Sequence, residues 1–117
     1  EACAAAKRQL EQAINDVQGT FMAAMQKMGE SIYHVGLQGN RILFSLAELT
    51  IGWLLIRQAE VAAEALDSAK DSERAFYEGK LVTATFFASE VFPGLGLAKQ
   101  QVEASSLEVM TLADEAF

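Results

Sequence analysis

Apolar residues recur at helical spacing through the first quarter of the chain. The intervals alternate between four and three residues, which is typical of a helix packed in a left-handed bundle. The seam comprises Leu10, Ile14, Val17, Phe21, Ala24 and Met28. The pattern predicts a first helix from about Ala2 to Met28. Segment 30–39 is predicted to be an irregular connection, because Gly36 and Gly39 interrupt it.

A second helix is predicted from about Asn40 to Leu66. Between Ile42 and Ile56, apolar residues occupy nearly every side of this helix. A helix that is apolar all round must be covered all round, so we expect it to lie at the centre of the fold. The apolar run is shorter than the roughly 20 residues that span a bilayer, which favours a core helix over a membrane helix.

Two further helices are predicted in the second half of the chain. The polar turn Asp67–Glu73 precedes a third helix, which is expected to run to Phe92. Segment 93–96 is predicted to be a break, because proline disfavours a helical conformation in the residue before it. A fourth helix is predicted from about Leu95 to Asp114, with a seam at Ala98, Val102, Ser105, Val109 and Leu112.

Four helices with short connections predict an all-α fold, an antiparallel up-and-down four-helix bundle with residues 1–117 as one domain. An antiparallel turn near Lys70 would place Glu60 opposite Lys80, so the two are predicted to form an ion pair. The second and third helices carry more apolar surface than two neighbours each can cover, which predicts an exposed patch or self-association. Four residues are predicted to lie in or beside the core: Trp53, Leu81, Phe87 and Val102.

Composition excludes several classes of function. Nine basic and 16 acidic side chains give a formal net charge of −7, which argues against binding to nucleic acid or to an anionic membrane. Cys3 is the only cysteine, so an internal disulfide cannot form. The chain starts at Glu1 without a leader pattern, so we expect it to be a fragment of a longer protein, with a mature or trimmed chain as the alternative.

No pattern for catalysis, cofactor binding or metal binding is recognisable. His34 is the only histidine, and with Glu30 it supplies too few ligands for a metal centre. Glu48 lies within the apolar run, where an interhelical hydrogen bond or a role at a docking surface is favoured over catalysis. The segment 94–96 is interpreted as a turn, because a dinucleotide-binding loop follows a strand. No catalytic, cofactor-binding or metal-binding residue is therefore predicted.

Two stretches carry a resemblance to a known family. They are Leu46–Leu55, with a glycine just before a tryptophan, and Phe76–Ala84, with an aromatic pair and a lysine-leucine pair. Together with the phenylalanine-rich exit to Pro93, they resemble the C-terminal helical domain of some bacterial acyl-CoA dehydrogenases, the acetyl-CoA dehydrogenase C-terminal-like domain. The resemblance covers about Leu10 to Leu112.

The resemblance implies a longer parent flavoenzyme that binds FAD and removes hydrogens from the α and β carbons of acyl-CoA thioesters. It also implies that the catalytic glutamate lies upstream, in the dehydrogenase core domain, and no motif residue here matches it. We therefore expect a non-catalytic accessory domain whose partner is that core, with homo-oligomer formation as a further expectation. The alternative is an independent helical protein-interaction module.

Overall fold

The computed structural model describes residues 3–117, and the predicted all-α class is confirmed, with no strand in that range. The predicted first-helix start at Ala2 lies outside the described residues. The chain forms α1 (Ala4–Glu30), α2 (Tyr33–Leu66), α3 (Asp71–Glu90) and α4 (Phe92–Glu103), followed by short 3-10 helices at Glu108–Thr111 and Asp114–Ala116.

The connection between α1 and α2 is much shorter than predicted. Only residues 31–32 separate the two helices, and the extended backbone of Ser31 turns the chain there. Gly36 and Gly39 lie within α2 instead of breaking it. Glycine costs about 1 kcal/mol relative to alanine inside a helix. Burial of His34 and Gln38 in the same turns provides compensating contacts.

The third and fourth helices form one continuous rod. A single residue, Val91, separates them, and its backbone stays in the right-handed helical region. Pro93 lies in the first turn of α4, where its missing N–H breaks no helical hydrogen bond. This rod lies antiparallel to α2, because later residues of the rod contact earlier residues of α2. Lys80 contacts Gln58, Phe92 lies near Gly52, and Ser105 contacts Gln38.

The fold therefore contains three antiparallel rods, which corrects the predicted up-and-down bundle of four. The chain does not reverse at segment 93–96, because Val91 and Pro93 both fit a helical path. The fourth helix also ends at Glu103 rather than at Asp114, and all residues from 108 to 117 are exposed. The molecule is elongated, with extents of 68 × 26 × 16 Å.

Small side chains line much of the interior. Its buried residues include Ala6, Ala13, Val17, Ile56, Ala59, Ala84, Ala88, Phe92 and Leu95. Val102 is buried as predicted, and Leu81 and Phe87 pack against the core while staying partly exposed. The prediction for Trp53 is wrong, since this residue is 47% exposed. Its neighbour Gly52 faces the interior instead, against the Phe92 ring.

Candidate functional site

Glu60 and Lys80, the predicted ion pair, each have other partners. The Glu60 carboxylate lies 2.7 Å from the Lys7 ammonium of α1 and 3.9 Å from the Arg57 guanidinium. The Lys80 ammonium lies 3.4 Å from the Gln58 side-chain oxygen and above the Phe76 ring. The strongest of these contacts joins α1 to α2, because the first turns of α1 reach Glu60. The predicted ion pair between Glu60 and Lys80 does not form, but Lys80 does face α2 as predicted, through its contact with Gln58.

A buried polar cluster surrounds Ser105, just beyond the end of α4. The Ser105 hydroxyl lies 2.9 Å from His34 Nδ1 and accepts a 3.3 Å hydrogen bond from the Gln38 amide. Lys27 of α1 donates to the Ser105 carbonyl at 3.2 Å. His34 Nε2 lies 3.5 Å from the Glu30 carboxylate. The cluster therefore joins both other rods to the end of the third.

The Ser105 cluster contains a serine, a histidine and a carboxylate, but its geometry fits a structural role. Ser105 and His34 are both buried, so the hydroxyl is closed to a substrate. Its position is fixed by Gln38 as well as by His34. A serine nucleophile also needs hydrogen-bond donors that stabilise the oxyanion formed during the reaction. The side chains of His34, Gln38 and Lys27 already make hydrogen bonds to Ser105 itself. No buried side-chain nitrogen or oxygen in residues 3–117 lacks a hydrogen-bond partner.

Three chemical candidates remain: the Cys3 thiol, the Glu48 carboxylate and a possible metal site. Burial raises the pKa of the Cys3 thiol above its ordinary value, an effect that the nearby Lys7 charge partly opposes. The thiol form therefore dominates at neutral pH, and the thiolate is the nucleophilic form. Glu48 lines an open cleft between α2 and α4. Among residues 3–117, no three potential ligands from His, Cys, Asp and Glu lie together as a metal site would require.

The described residues also do not fit FAD. Gly94 and Gly96 lie within α4, so their amides are not presented by a loop that could hold a pyrophosphate. No glycine in the described range has a positive φ angle. The Asp16 carboxylate, close to Gly96, would repel a phosphate there. No step of flavin chemistry is assigned to this chain.

Large exposed apolar residues lie side by side on α1 and α2, and this surface is here called the α1–α2 face. Its centre is a groove of about 480 Å³ lined by Ile14, Val17, Gln18, Phe21, Met22, Leu46 and Leu49. Met25 and Met28 extend it along α1, and Leu43 and Trp53 extend it along α2, since residues three or four apart share a helix face. All four extending residues are exposed.

No formal charge interrupts the α1–α2 face. Asp16 is the only charged residue between positions 12 and 26, and Glu48 is the only one between 42 and 56. Both lie on the side of their helix that faces α4, because Asp16 is close to Gly96 and Glu48 shares a cleft with Ala98. The apolar exposure predicted for the second helix is therefore present, but the other half of this face comes from α1 and not from the third helix.

A smaller apolar area lies on the outer side of α3. Val82 and Phe86 line a shallow groove there with Leu81 and Thr85, and Phe76 is exposed nearby.

In the described chain, α2 and the stretch Asp71–Thr111 are long and apolar enough to cross a membrane by length and composition alone. Core helices and signal sequences satisfy the same criterion, so two such helices do not by themselves show a membrane span.

The sequence matches the family model described as acetyl-CoA dehydrogenase C-terminal like, over residues 1–113. The chain belongs to this family. It is also 43% identical, over 115 residues, to the broad-specificity linear acyl-CoA dehydrogenase FadE5 of Mycobacterium tuberculosis. The match covers 92% of this chain and 19% of the relative, so the chain spans about a fifth of that enzyme's length.

Family membership confirms the resemblance carried by Leu46–Leu55 and Phe76–Ala84. Sequence reasoning missed the Ser105 cluster, because its partners are 67 to 78 positions away. One signal was present: Ser105 occupies a seam position, where a hydroxyl needs a buried partner.

Proposed function

We propose that this chain is the non-catalytic C-terminal domain of an FAD-dependent acyl-CoA dehydrogenase. Its role is to support assembly of the parent enzyme or its handling of substrate. The observation that carries this proposal is the family match over residues 1–113, together with a relative that is an acyl-CoA dehydrogenase about five times as long. The parent is expected to act in the cytoplasm.

The parent reaction is the α,β-dehydrogenation of acyl-CoA thioesters. It requires a base beside the α carbon and a flavin that accepts hydride. Both belong to the remaining four-fifths of the parent. The described residues support this division, since His34 and Ser105 are bound to each other inside the bundle and Glu48 shares its open cleft with Arg41 but with no second carboxylate and no histidine.

The exposed α1–α2 face favours a role that depends on contact with another protein surface. A contiguous apolar area of this kind commonly marks an interface. An independent interaction module would use such a face as well, but it would be encoded by a short reading frame. The length of the relative favours a domain of a large enzyme.

The test uses the full-length parent and a version truncated before residue 1. We expect the full-length protein to show flavin absorbance and dye-linked dehydrogenation of acyl-CoA. We expect the truncated protein to lose activity or to assemble incorrectly. Activity should be measured across several acyl-chain lengths, and the oligomeric state by sedimentation.

Glu48→Gln in the full-length parent is the matched control. It changes the one acid within the apolar run of α2 and should leave turnover unaffected. Loss of turnover in this variant would place chemistry in the domain. Absence of both flavin and acyl-CoA dehydrogenation from the full-length protein would refute the proposed function.

A further inference from the structure

The α1–α2 face has the residue types of a protein interface. Phe21 and Trp53 are aromatic, and tryptophan is among the residues that most often dominate binding energy. Met22, Met25 and Met28 are flexible and polarisable, which suits them to irregular contacts. Charged residues are absent from the centre of the face, as they are from the cores of interfaces.

A polar group borders one end of this face. The Lys7–Glu60 ion pair, with Arg57 beside it, lies toward the start of α1. An apolar centre bordered by polar groups is the arrangement of a specific contact surface.

We infer that the α1–α2 face is the surface on which the dehydrogenase part of the same polypeptide docks, with Phe21, Met22 and Trp53 at the centre of the contact. This inference rests on the proposed function, since it takes the partner from the parent enzyme. The relative is five times as long as the match, so a large partner is covalently attached. Attachment gives that partner a high effective concentration at the face.

Two other occupants are less well supported. A net charge of −7 opposes approach to an anionic lipid surface. A second copy would have to meet this face with its own identical face or another apolar area, and it would compete with a tethered partner. Each of these two occupants would give a different result from docking within one polypeptide when the protection of the face is measured.

The test is hydroxyl-radical oxidation of the full-length parent, read by mass spectrometry at its methionines. Met22 and Met25 are 71% and 67% exposed in the domain, whereas Met110 is 53% exposed. Each rate is divided by the rate for the same methionine in the urea-unfolded parent. Because centres of interfaces exclude water, we expect the normalised Met22 rate to fall to about one-fifth or less.

A normalised Met22 rate above about one-fifth would show that this face is not covered and would overturn the inference. Protection that disappears on dilution would identify a second copy as the occupant. Protection that requires added anionic vesicles would identify a lipid surface. Either result would also overturn docking within one polypeptide.

Two charge variants sharpen the result. Met22→Glu should expose Met25 and Met28 to oxidation, because a buried carboxylate without a partner is unfavourable. Val82→Glu, which places the same charge on the outer side of α3, should leave their protection unchanged. Equal effects of the two variants would contradict the assignment of the face.

Failure of this inference can be told apart from failure of the proposed function. A parent with flavin and dehydrogenase activity but with a reactive Met22 would retain its function and lose the docking assignment. A parent with a protected Met22 but without flavin or activity would retain the docking surface and lose the proposed function.

Discussion

The interior of the domain and its α1–α2 face are built from opposite kinds of apolar residue. Alanines such as Ala13, Ala59 and Ala84 lie inside, while Phe21 and Trp53 lie outside. Soluble proteins usually bury their largest apolar side chains. The reversal indicates that the small residues set the close spacing of the rods and that the large ones are available to a partner.

Close spacing leaves few large anchors in the interior. Helix axes approach one another most closely where the contacting side chains are small. The large buried exceptions are Phe92, Leu95 and Val102 of α4, Ile56 of α2 and Val17 of α1. The stability of the domain should therefore depend strongly on a small number of positions and weakly on its many exposed apolar ones.

The largest expected effect comes from Phe92→Ala. Phe92 is 2% exposed and packs edge-to-face on Phe87, so its removal should lower the free energy of unfolding by about 3–5 kcal/mol. Phe86→Ala is the matched control, because Phe86 is 66% exposed and should change it by less than about 0.5 kcal/mol. Urea unfolding of both variants measures the contrast, and equal losses would contradict the distinction between inside and outside.

The next effect concerns two glycines. A methyl group at Gly52 would meet the buried ring of Phe92, so Gly52→Ala should destabilise the fold toward the upper end of about 1–3 kcal/mol. Nothing lies within 4 Å of the same methyl at Gly79, in the middle of α3. Gly79→Ala should therefore stabilise the chain by up to about 1 kcal/mol. Thermal unfolding of the two variants measures this contrast. Midpoint temperatures that shift in the same direction for both would contradict the packing argument.

The helices could be predicted from the sequence, but the orientation of α2 could not. Spacing predicted the helix of α1 but only part of its inner side, since Val17 and Ala24 of the predicted seam are buried while the seam residues Ile14, Phe21 and Met28 are exposed. Between Ile42 and Ile56, α2 is apolar on nearly every side, so periodicity does not identify its inner face. Trp53 was assigned inward on its size, whereas the adjacent Gly52 is the residue that allows close approach.

The path of the third rod was equally beyond sequence reasoning. Pro93 and two glycines favour a break and also fit the first turn of a new helix, and the pattern does not distinguish the two. The end of α4 depends on the Ser105 cluster, whose partners come from α1 and α2. Such a site arises only when distant segments meet.

Ser105→Ala tests the one strongly polar part of the interior. The substitution leaves His34 Nδ1 and the Gln38 amide without their shared partner, which should cost about 1–2 kcal/mol. Ser89 is exposed within α3, and Ser89→Ala should be neutral or slightly stabilising because alanine favours helix. Hydrogen exchange of α4 amides should rise in the first variant alone, and an unchanged α4 would mean that the cluster does not hold the end of this helix.

The smallest effect on stability is expected from Trp53→Gln, although it alters the largest side chain on the α1–α2 face. The indole is half exposed and neighbours Gly52, which makes the inward contact in its place, so unfolding free energy should change by no more than about 0.5 kcal/mol.

Self-association should respond to Trp53→Gln instead, since glutamine reduces the exposed apolar area without disturbing the rods. Sedimentation of the 117-residue chain over a range of concentrations should show weaker self-association in the variant. Ile56→Gln is the contrasting variant, since Ile56 lies three residues further along the same helix but is buried. This substitution should lower the free energy of unfolding. A stability loss at Trp53 as large as that of Phe92→Ala would mean that the indole belongs to the interior and that the face has been assigned to the wrong side of α2.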